Sequence, residues 1–263
     1  MVNRMKKIKV IIIRTAGTNC DYELKSAFEL CDAVVDKVHI NELISSKNKI
    51  LSYDILAIPG GFSYGDDIAS GKILANEIKY KLGDNIKRFA LLGKPIIGIC
   101  NGFQVLVKMG LLPNPEVFKQ NSTLYYNDSN KFECRWVHLK SQKINGRSLC
   151  LWTNNLPDII TLPVAHGEGK FIADKKVLDE IEKNNQVVFR YCDKDGKCTV
   201  YPKDPNGSLN AIAGICNKKG NVFGLMPHPE RYIYALQHPS RENFNGVDGW
   251  GKQIFQNAID YLR

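Results

Sequence analysis

Pro95-Ile96-Ile97-Gly98-Ile99-Cys100-Asn101-Gly102-Phe103-Gln104 is the stretch on which the reading of this chain turns. Three β-branched residues, Ile96, Ile97 and Ile99, make a short apolar run, and a helix-like segment over residues 104–109 follows at once. That order predicts a buried parallel strand feeding directly into a helix. The connecting Gly98-Ile99-Cys100-Asn101-Gly102 is G-x-C-x-G, the nucleophile-elbow pattern with sulfur in place of a serine hydroxyl. Glycines on both sides are expected, because side chains would clash in so tight a turn. Cys100 would then sit at a helix N-terminus, where unpaired N–H groups and the helix dipole favour a thiolate.

Working outward, residues 9–13 (K-V-I-I-I) read as a first buried strand, with Asp21 as N-cap of a helix over 22–31. Strands follow at 34–40 and 54–58, then a helix at 71–82, a polar link, and the strand at 95–100. Strands and helices in this sequence imply right-handed crossovers and an α/β fold: a mostly parallel, doubly wound sheet with helices on both faces. After Pro113 come short β-rich pieces at 122–126, 132–139, 148–152 and 187–191, read as antiparallel additions to that sheet. Residues 211–216 and 221–225 flank Lys218-Lys219-Gly220 as a hairpin, and an amphipathic helix over 251–262 closes the chain. With no repeat, low-complexity tract or linker, residues 1–263 are expected to form one domain, with a short basic extension (1–8) and a C-terminal tail and helix (232–263).

The composition, 44% hydrophobic and 24% charged, is that of an ordinary globular chain. No apolar run reaches the ~18 residues that span a bilayer, and the run after the basic start is too short for a signal peptide. A cytoplasmic location with no membrane association is the expectation. The net charge of +9 is spread singly among acids outside Arg4, Lys6, Lys7 and Lys9, so no nucleic-acid partner is expected. None of the eight cysteines forms C-x-x-C or stands at zinc-finger spacing from histidine, so no metal site is expected. G-x-x-x-x-G-K-[ST] and a post-strand G-x-G-x-x-G are both missing, and with them any nucleotide site.

A cysteine nucleophile needs a base and a group that orients the base. Among five histidines, His228 in Leu225-Met226-Pro227-His228-Pro229-Glu230-Arg231 follows a strand and is fixed by prolines on both sides. Residues two apart in extended backbone point the same way, so Glu230 can reach the His228 ring and set its tautomer. H-x-E also occurs in zinc deaminases, which need P-C-x-x-C downstream; no cysteine follows Cys216. An oxyanion hole would combine the N–H of Asn101 with one from Pro59-Gly60-Gly61-Phe62, assigned to Gly61.

Together these parts resemble the class I, triad-type glutamine amidotransferases, whose fold is flavodoxin-like. R-T-A-G-T-N-C-D at 14–21, P-G-G-F-S-Y-G-D-D at 59–67 and A-H-G-E-G-K-F at 165–171 narrow the resemblance to the glutaminase subunits of phosphoribosylformylglycinamidine synthases. Ala16 stands where many members have Pro, and Phe103 where many have a second Cys. The resemblance implies glutamine hydrolysis by Cys100, His228 and Glu230. It implies ammonia delivery to a large synthetase subunit that uses ATP, Mg and formylglycinamide ribonucleotide, with a small accessory subunit, in purine biosynthesis. No cofactor would be bound by this chain itself. Gln104, one helical turn past Cys100, is the candidate for touching bound glutamine; His166 and Glu168, between glycines in an expected loop, are read as lining the site or the subunit interface, with His166 a second candidate for binding glutamine. The rivals are a stand-alone cysteine hydrolase or peptidase of this fold class and an inactive interaction subunit.

Overall fold

Val10, Ile11, Ile12 and Ile13 are fully buried in strand β1 (Lys9–Arg14), as expected of a parallel strand covered on both faces. The structure, a computed structural model, describes residues 7–197, 200–240 and 248–263. The first six residues of the basic start, Cys198, and residues 241–247 of the tail lie outside the described residues.

The chain continues through α1 (Asp21–Glu29), β2 (Val34–His39), α2 (Ile40–Ser45), β3 (Ile55–Ile58), α3 (Lys72–Leu91), β4 (Ile96–Ile99) and α4 (Asn101–Lys108). Then come β5 (Ser122–Tyr126), β6 (Glu133–Ser141), β7 (Ile159–His166), β8 (Glu168–Ala173), α5 (Lys175–Lys183), β9 (Val187–Cys192), β10 (Ile212–Cys216), β11 (Val222–Leu225) and α6 (Trp250–Leu262). Nine strands form one sheet in the order β2-β1-β3-β4-β11-β10-β9-β6-β7. The first five run parallel, in the doubly wound order that reverses direction between β1 and β3. The last four extend the sheet antiparallel, and β5 and β8 pair separately.

The α1 and α6 helices pack together on one face, with the Phe28 and Phe255 rings edge-on at 4.9 Å. On the other face α3 packs against both α2 and α4. A continuous apolar core runs the length of the sheet, and each fully buried Ile or Val in it contributes about 1.5–3 kcal/mol. No helix among the described residues is long and apolar enough to cross a membrane.

Several local expectations need correction. The helix expected at 71–82 continues to Leu91, because Leu82, Ile86, Phe89 and Ala90 keep one face buried through the supposed polar link. Asp21 is the first residue of α1, not its cap; its buried carboxylate faces Lys37 at 3.3 Å and Arg14 at 3.6 Å. Residues 148–152 are not a strand: Leu151–Thr153 is a 3-10 turn whose Trp152 is buried and donates to Asn221 O at 3.2 Å. His166 and Glu168 are not in a loop but end β7 and begin β8. The Pro163 within β7 is tolerated because that strand lies at the sheet edge.

Candidate active site

Register brings the site together. Ile58 lies opposite Gly98, and Leu225 opposite Ile99, so the segments leaving β3, β4 and β11 emerge side by side at the carboxyl edge of the sheet. In open α/β sheets that edge is where ligands bind.

Cys100 follows β4 with φ 51° and ψ −106°, a conformation costing on the order of 1–3 kcal/mol in a residue with a side chain. Its N–H donates to Leu225 O at 2.8 Å and its carbonyl accepts from Gln104 N–H at 3.1 Å, which hold it there. A Cβ on Gly98 would stand 2.5 Å from Gly102 O, and one on Gly102 only 2.0 Å from Ile58 O. Both glycines are therefore required by the crossing of α4 over β3 and β4. The Cys100 thiol is nearly buried and donates to Ala165 O at 3.6 Å.

Where β11 ends, His228 is pinned by its N–H to Pro163 O at 2.8 Å, and its Nδ1 meets Glu230 Oε1 at 2.6 Å. Both side chains are buried. Nε2 makes no well-aligned hydrogen bond among the described residues; the thiols of Cys100 and Cys20 are close enough to act on it. Burial alone would push this imidazole down, but the Glu230 carboxylate, then Cys100 and Cys20, hold its pKa well above the usual histidine value. All three side chains converge on Gly60, where a Cβ would lie 2.8 Å from His228 Cε1, 3.1 Å from Cys20 Sγ and 3.5 Å from Cys100 Cβ.

The loop after β3 is stitched to the turn after β1. Cys20 N–H donates to Gly60 O, Phe62 N–H to Gly17 O and Tyr64 N–H to Ala16 O. Gly61, at φ 136°, stands among these bonds and takes part in none of them. Its N–H, with that of Asn101 in the first turn of α4, belongs to the segments flanking Cys100.

A buried polar network backs this loop. Asp66 accepts from Asn101 Nδ2 and Gly71 N–H at 3.1 Å each, and from Ser70 Oγ at 2.9 Å. Asn101 Oδ1 accepts from Ser63 N–H at 3.3 Å, and its Nδ2 also donates to Gln104 Oε1 at 3.0 Å. Gln104 Nε2 donates to Glu168 O at 2.5 Å. Lys108 Nζ donates to Ser70 O and lies 3.7 Å from Glu168 Oε2; burial pulls its pKa down while Glu168 opposes.

Of the residues singled out from the sequence, Cys100, His228 and Glu230 come together, while Gly61 follows Gly60 and Asn101 follows Cys100 in the chain. Gln104 is buried with both polar ends engaged. His166 is buried too, with Nδ1 3.1 Å from Asn127 Oδ1. Asn127 also accepts from Gly169 N–H and donates to the carbonyls of Lys131 and His166, which fixes its amide orientation. His166 Nδ1 is therefore the donor, and Nε2 keeps a lone pair. Burial first, then the nearby His228, lowers the His166 pKa to about 3.

Sequence reading did not assign Cys20. Arg231 Nη2 donates to its sulfur at 3.1 Å, and the thiol donates to Asn19 Oδ1 at 3.2 Å. The signal available was position: Cys20 lies in the turn after β1, at the same sheet edge as Cys100. A cavity of about 640 Å³ lies elsewhere, between residues 128–131 and 200–211, and neither Cys100 nor His228 lines it.

Residues 7–262 match the CobB/CobQ-like glutamine amidotransferase domain. The chain is 48% identical over 262 residues to a phosphoribosylformylglycinamidine synthase subunit PurQ from Dehalococcoides mccartyi, covering 98% of this chain and 99% of that one. It is 44% identical over 269 residues to the subunit of the same name from Methanococcus maripaludis, covering 97% of each. A chain in the structure of PurLQS from Thermotoga maritima superposes with a TM-score of 0.74 at 33% identity, covering 98% of this chain and 100% of that one.

Proposed function

Because the chain belongs to the CobB/CobQ-like glutamine amidotransferase family, among the PurQ subunits, we propose that it hydrolyses glutamine with Cys100, His228 and Glu230 and passes the ammonia to a synthetase subunit making formylglycinamidine ribonucleotide. The observation that carries this reading is the 2.6 Å His228–Glu230 bond, set beside a cysteine in a strained strand-to-helix turn.

The Cys100 thiolate attacks the side-chain amide carbon, and the oxyanion is received by the N–H groups of Asn101 and Gly61. His228, held protonated by Glu230, gives its proton to the departing nitrogen, which leaves as ammonia. The glutamyl thioester is then cleaved by water, with His228 taking the water's proton and returning one to the Cys100 sulfur. Glu230 fixes the ring so that Nε2 faces the sulfur, and steadies the imidazolium. Gln104 acts here as a strut, joining α4 to the start of β8, next to the end of β7 on which the Cys100 thiol rests; His166 lines the same wall.

This chemistry asks nothing of a metal or cofactor held by this chain; ATP and Mg²⁺ would serve the synthetase subunit. A small accessory subunit, a single-domain organisation for this chain and a cytoplasmic setting, which keeps Cys100 reduced, complete the proposal. Turnover by the isolated chain should be slow, with the synthetase raising it.

An electrophilic glutamine analogue should alkylate Cys100 and no other cysteine, as read by peptide mass mapping. In the reconstituted complex, Cys100→Ala should abolish glutamine-dependent synthesis and spare synthesis from ammonium salts. Label on another cysteine, or loss of the ammonium-dependent reaction in an assembled complex, overturns the assignment.

A further inference from the structure

Glu230 Oε2 is a buried carboxylate oxygen that makes no hydrogen bond among the described residues, although Oε1 of the same group holds His228 at 2.6 Å. The next residue along is an arginine, and both lie in one short turn, Pro229–Arg231. A guanidinium binds carboxylates through a fork of parallel hydrogen bonds, so Arg231 is the natural partner for that oxygen. It points elsewhere. Its Nη2 donates to Cys20 Sγ at 3.1 Å, and its Nε lies 3.3 Å from Glu23 Oε1 on α1. That sulfur, a ring nitrogen of His228 and a carboxylate oxygen of Glu230 all lie within 4.8 Å of one another. Cys20 thus holds the guanidinium while standing beside the carboxylate that the guanidinium does not pair with.

Cys20 is well fixed for this. Its N–H donates to Gly60 O at 3.3 Å, its carbonyl accepts from Leu24 N–H at 3.0 Å, and its thiol donates to Asn19 Oδ1 at 3.2 Å. With its proton directed at Asn19, the sulfur keeps its lone pairs for Arg231. Glu23 is a weaker tie, because its side chain is 43% exposed and water screens the pair. We propose that Cys20 is a positioning residue, whose sulfur tethers the Arg231 guanidinium away from Glu230 so that the carboxylate acts with its full charge on His228. Glu230 is the main group holding this imidazole in its charged form against burial, and a guanidinium turned onto Oε2 would cancel that support. Cys100, Cys20, Arg231 and His166 are the other titratable groups around the pair.

The inference rests on the triad reading of the proposed function, but its main test needs no glutamine, so the two fail separately. In the full chain carrying Cys100→Ala, the His228 ring is titrated by nitrogen-15 NMR, its signal assigned by its loss in His228→Gln. Adding Cys20→Ala should lower the His228 midpoint by at least about one pH unit, the size of shift a nearby charge produces. Cys20→Ser, whose hydroxyl can make both side-chain hydrogen bonds, should lower it by less than about half as much. Arg231→Met should raise the midpoint by at least about one unit more in the Cys20→Ala chain than in its parent, the coupling expected if losing the sulfur frees the guanidinium. With Cys100 intact, Cys20→Ala in the assembled complex should lose kcat by about tenfold or more with little change in KM. A Cys20→Ala midpoint within about 0.3 unit of its parent overturns the proposal. So does an equal Arg231→Met shift in both backgrounds, a Cys20→Ser midpoint as low as that of Cys20→Ala, or a wild-type kcat in Cys20→Ala.

Discussion

Gly60→Ala is a one-carbon perturbation aimed at the point where the site converges. The added methyl would lie 2.8 Å from His228 Cε1 and 3.1 Å from Cys20 Sγ, against an ordinary carbon contact of about 3.5 Å. The imidazole edge must therefore retreat by about 0.7 Å. It has little room to do so, because Nδ1 is bonded to Glu230 at 2.6 Å and the backbone N–H to Pro163 O at 2.8 Å. A misplacement near 1 Å costs up to about 10²-fold in rate, so kcat should fall by about 30- to 100-fold. Stability should fall by only about 1–3 kcal/mol, the usual cost of one extra methyl against side chains. Gly102→Ala is the contrast: its methyl would meet backbone, 2.0 Å from Ile58 O, and that variant should not fold. Steady-state glutamate release and thermal unfolding, both measured in the assembled complex, separate the two effects. A Gly60→Ala kcat within twofold of wild type would refute the packing of His228 on Gly60, and with it the geometry assigned to the pair.

Two further outcomes are expected. Glu230→Gln should lower kcat by about 10² or more with little change in KM, because orienting and steadying an imidazolium acts mainly in the transition state; a wild-type kcat would assign that role elsewhere. The buried His166, with its pKa lowered to about 3 from the ordinary 6.5, stays neutral when folded while the unfolded chain takes up a proton. Stability is therefore lost as pH falls below about 6.5, at up to ~1.4 kcal/mol per unit, or about 2 kcal/mol by pH 4.5. His166→Gln should flatten the urea-unfolding free energy by about that amount across this window, and an unchanged slope would contradict the neutral, buried ring.

The elbow and the His-x-Glu pair were legible because both are local. Gly98 and Gly102 flank Cys100 by steric necessity, and a two-residue spacing is enough to join His228 to Glu230. The parallel half of the sheet followed from apolar runs such as Val10 to Ile13. The far half was harder. Ile160, Leu162, Val164 and His166 alternate inward along β7 without a break, but Pro163 disguised the strand until its edge position was known. The rest of α3 was disguised by its charged outer face, although Leu82, Ile86 and Phe89 recur at helical spacing. Cys20 and Lys108 were not singled out, and Glu168 was placed in a loop beside His166. Each is defined by a partner distant in sequence, and a buried lysine has no local signature separating it from a solvated one.

That lysine has a consequence for how the region around Gly61 can change. The loop through Tyr64, Gly65 and Asp66, all at positive φ, has the look of a flap. Yet Asp66 is tied to Asn101, Asn101 to Gln104, Gln104 to Glu168 O, and Lys108 to Ser70 and Glu168. Lifting the loop alone would take Asp66 away from Asn101 Nδ2 and Ser70 O away from the buried Lys108 ammonium, at about 1–3 kcal/mol for each buried group left short of a partner. Loop, helix start and the turn from β7 into β8 thus behave as one mechanical part, and a force on that turn's outer surface is felt at the base of the loop. Gradual adjustment is closed to such an assembly. It shifts as a block or stays where it is.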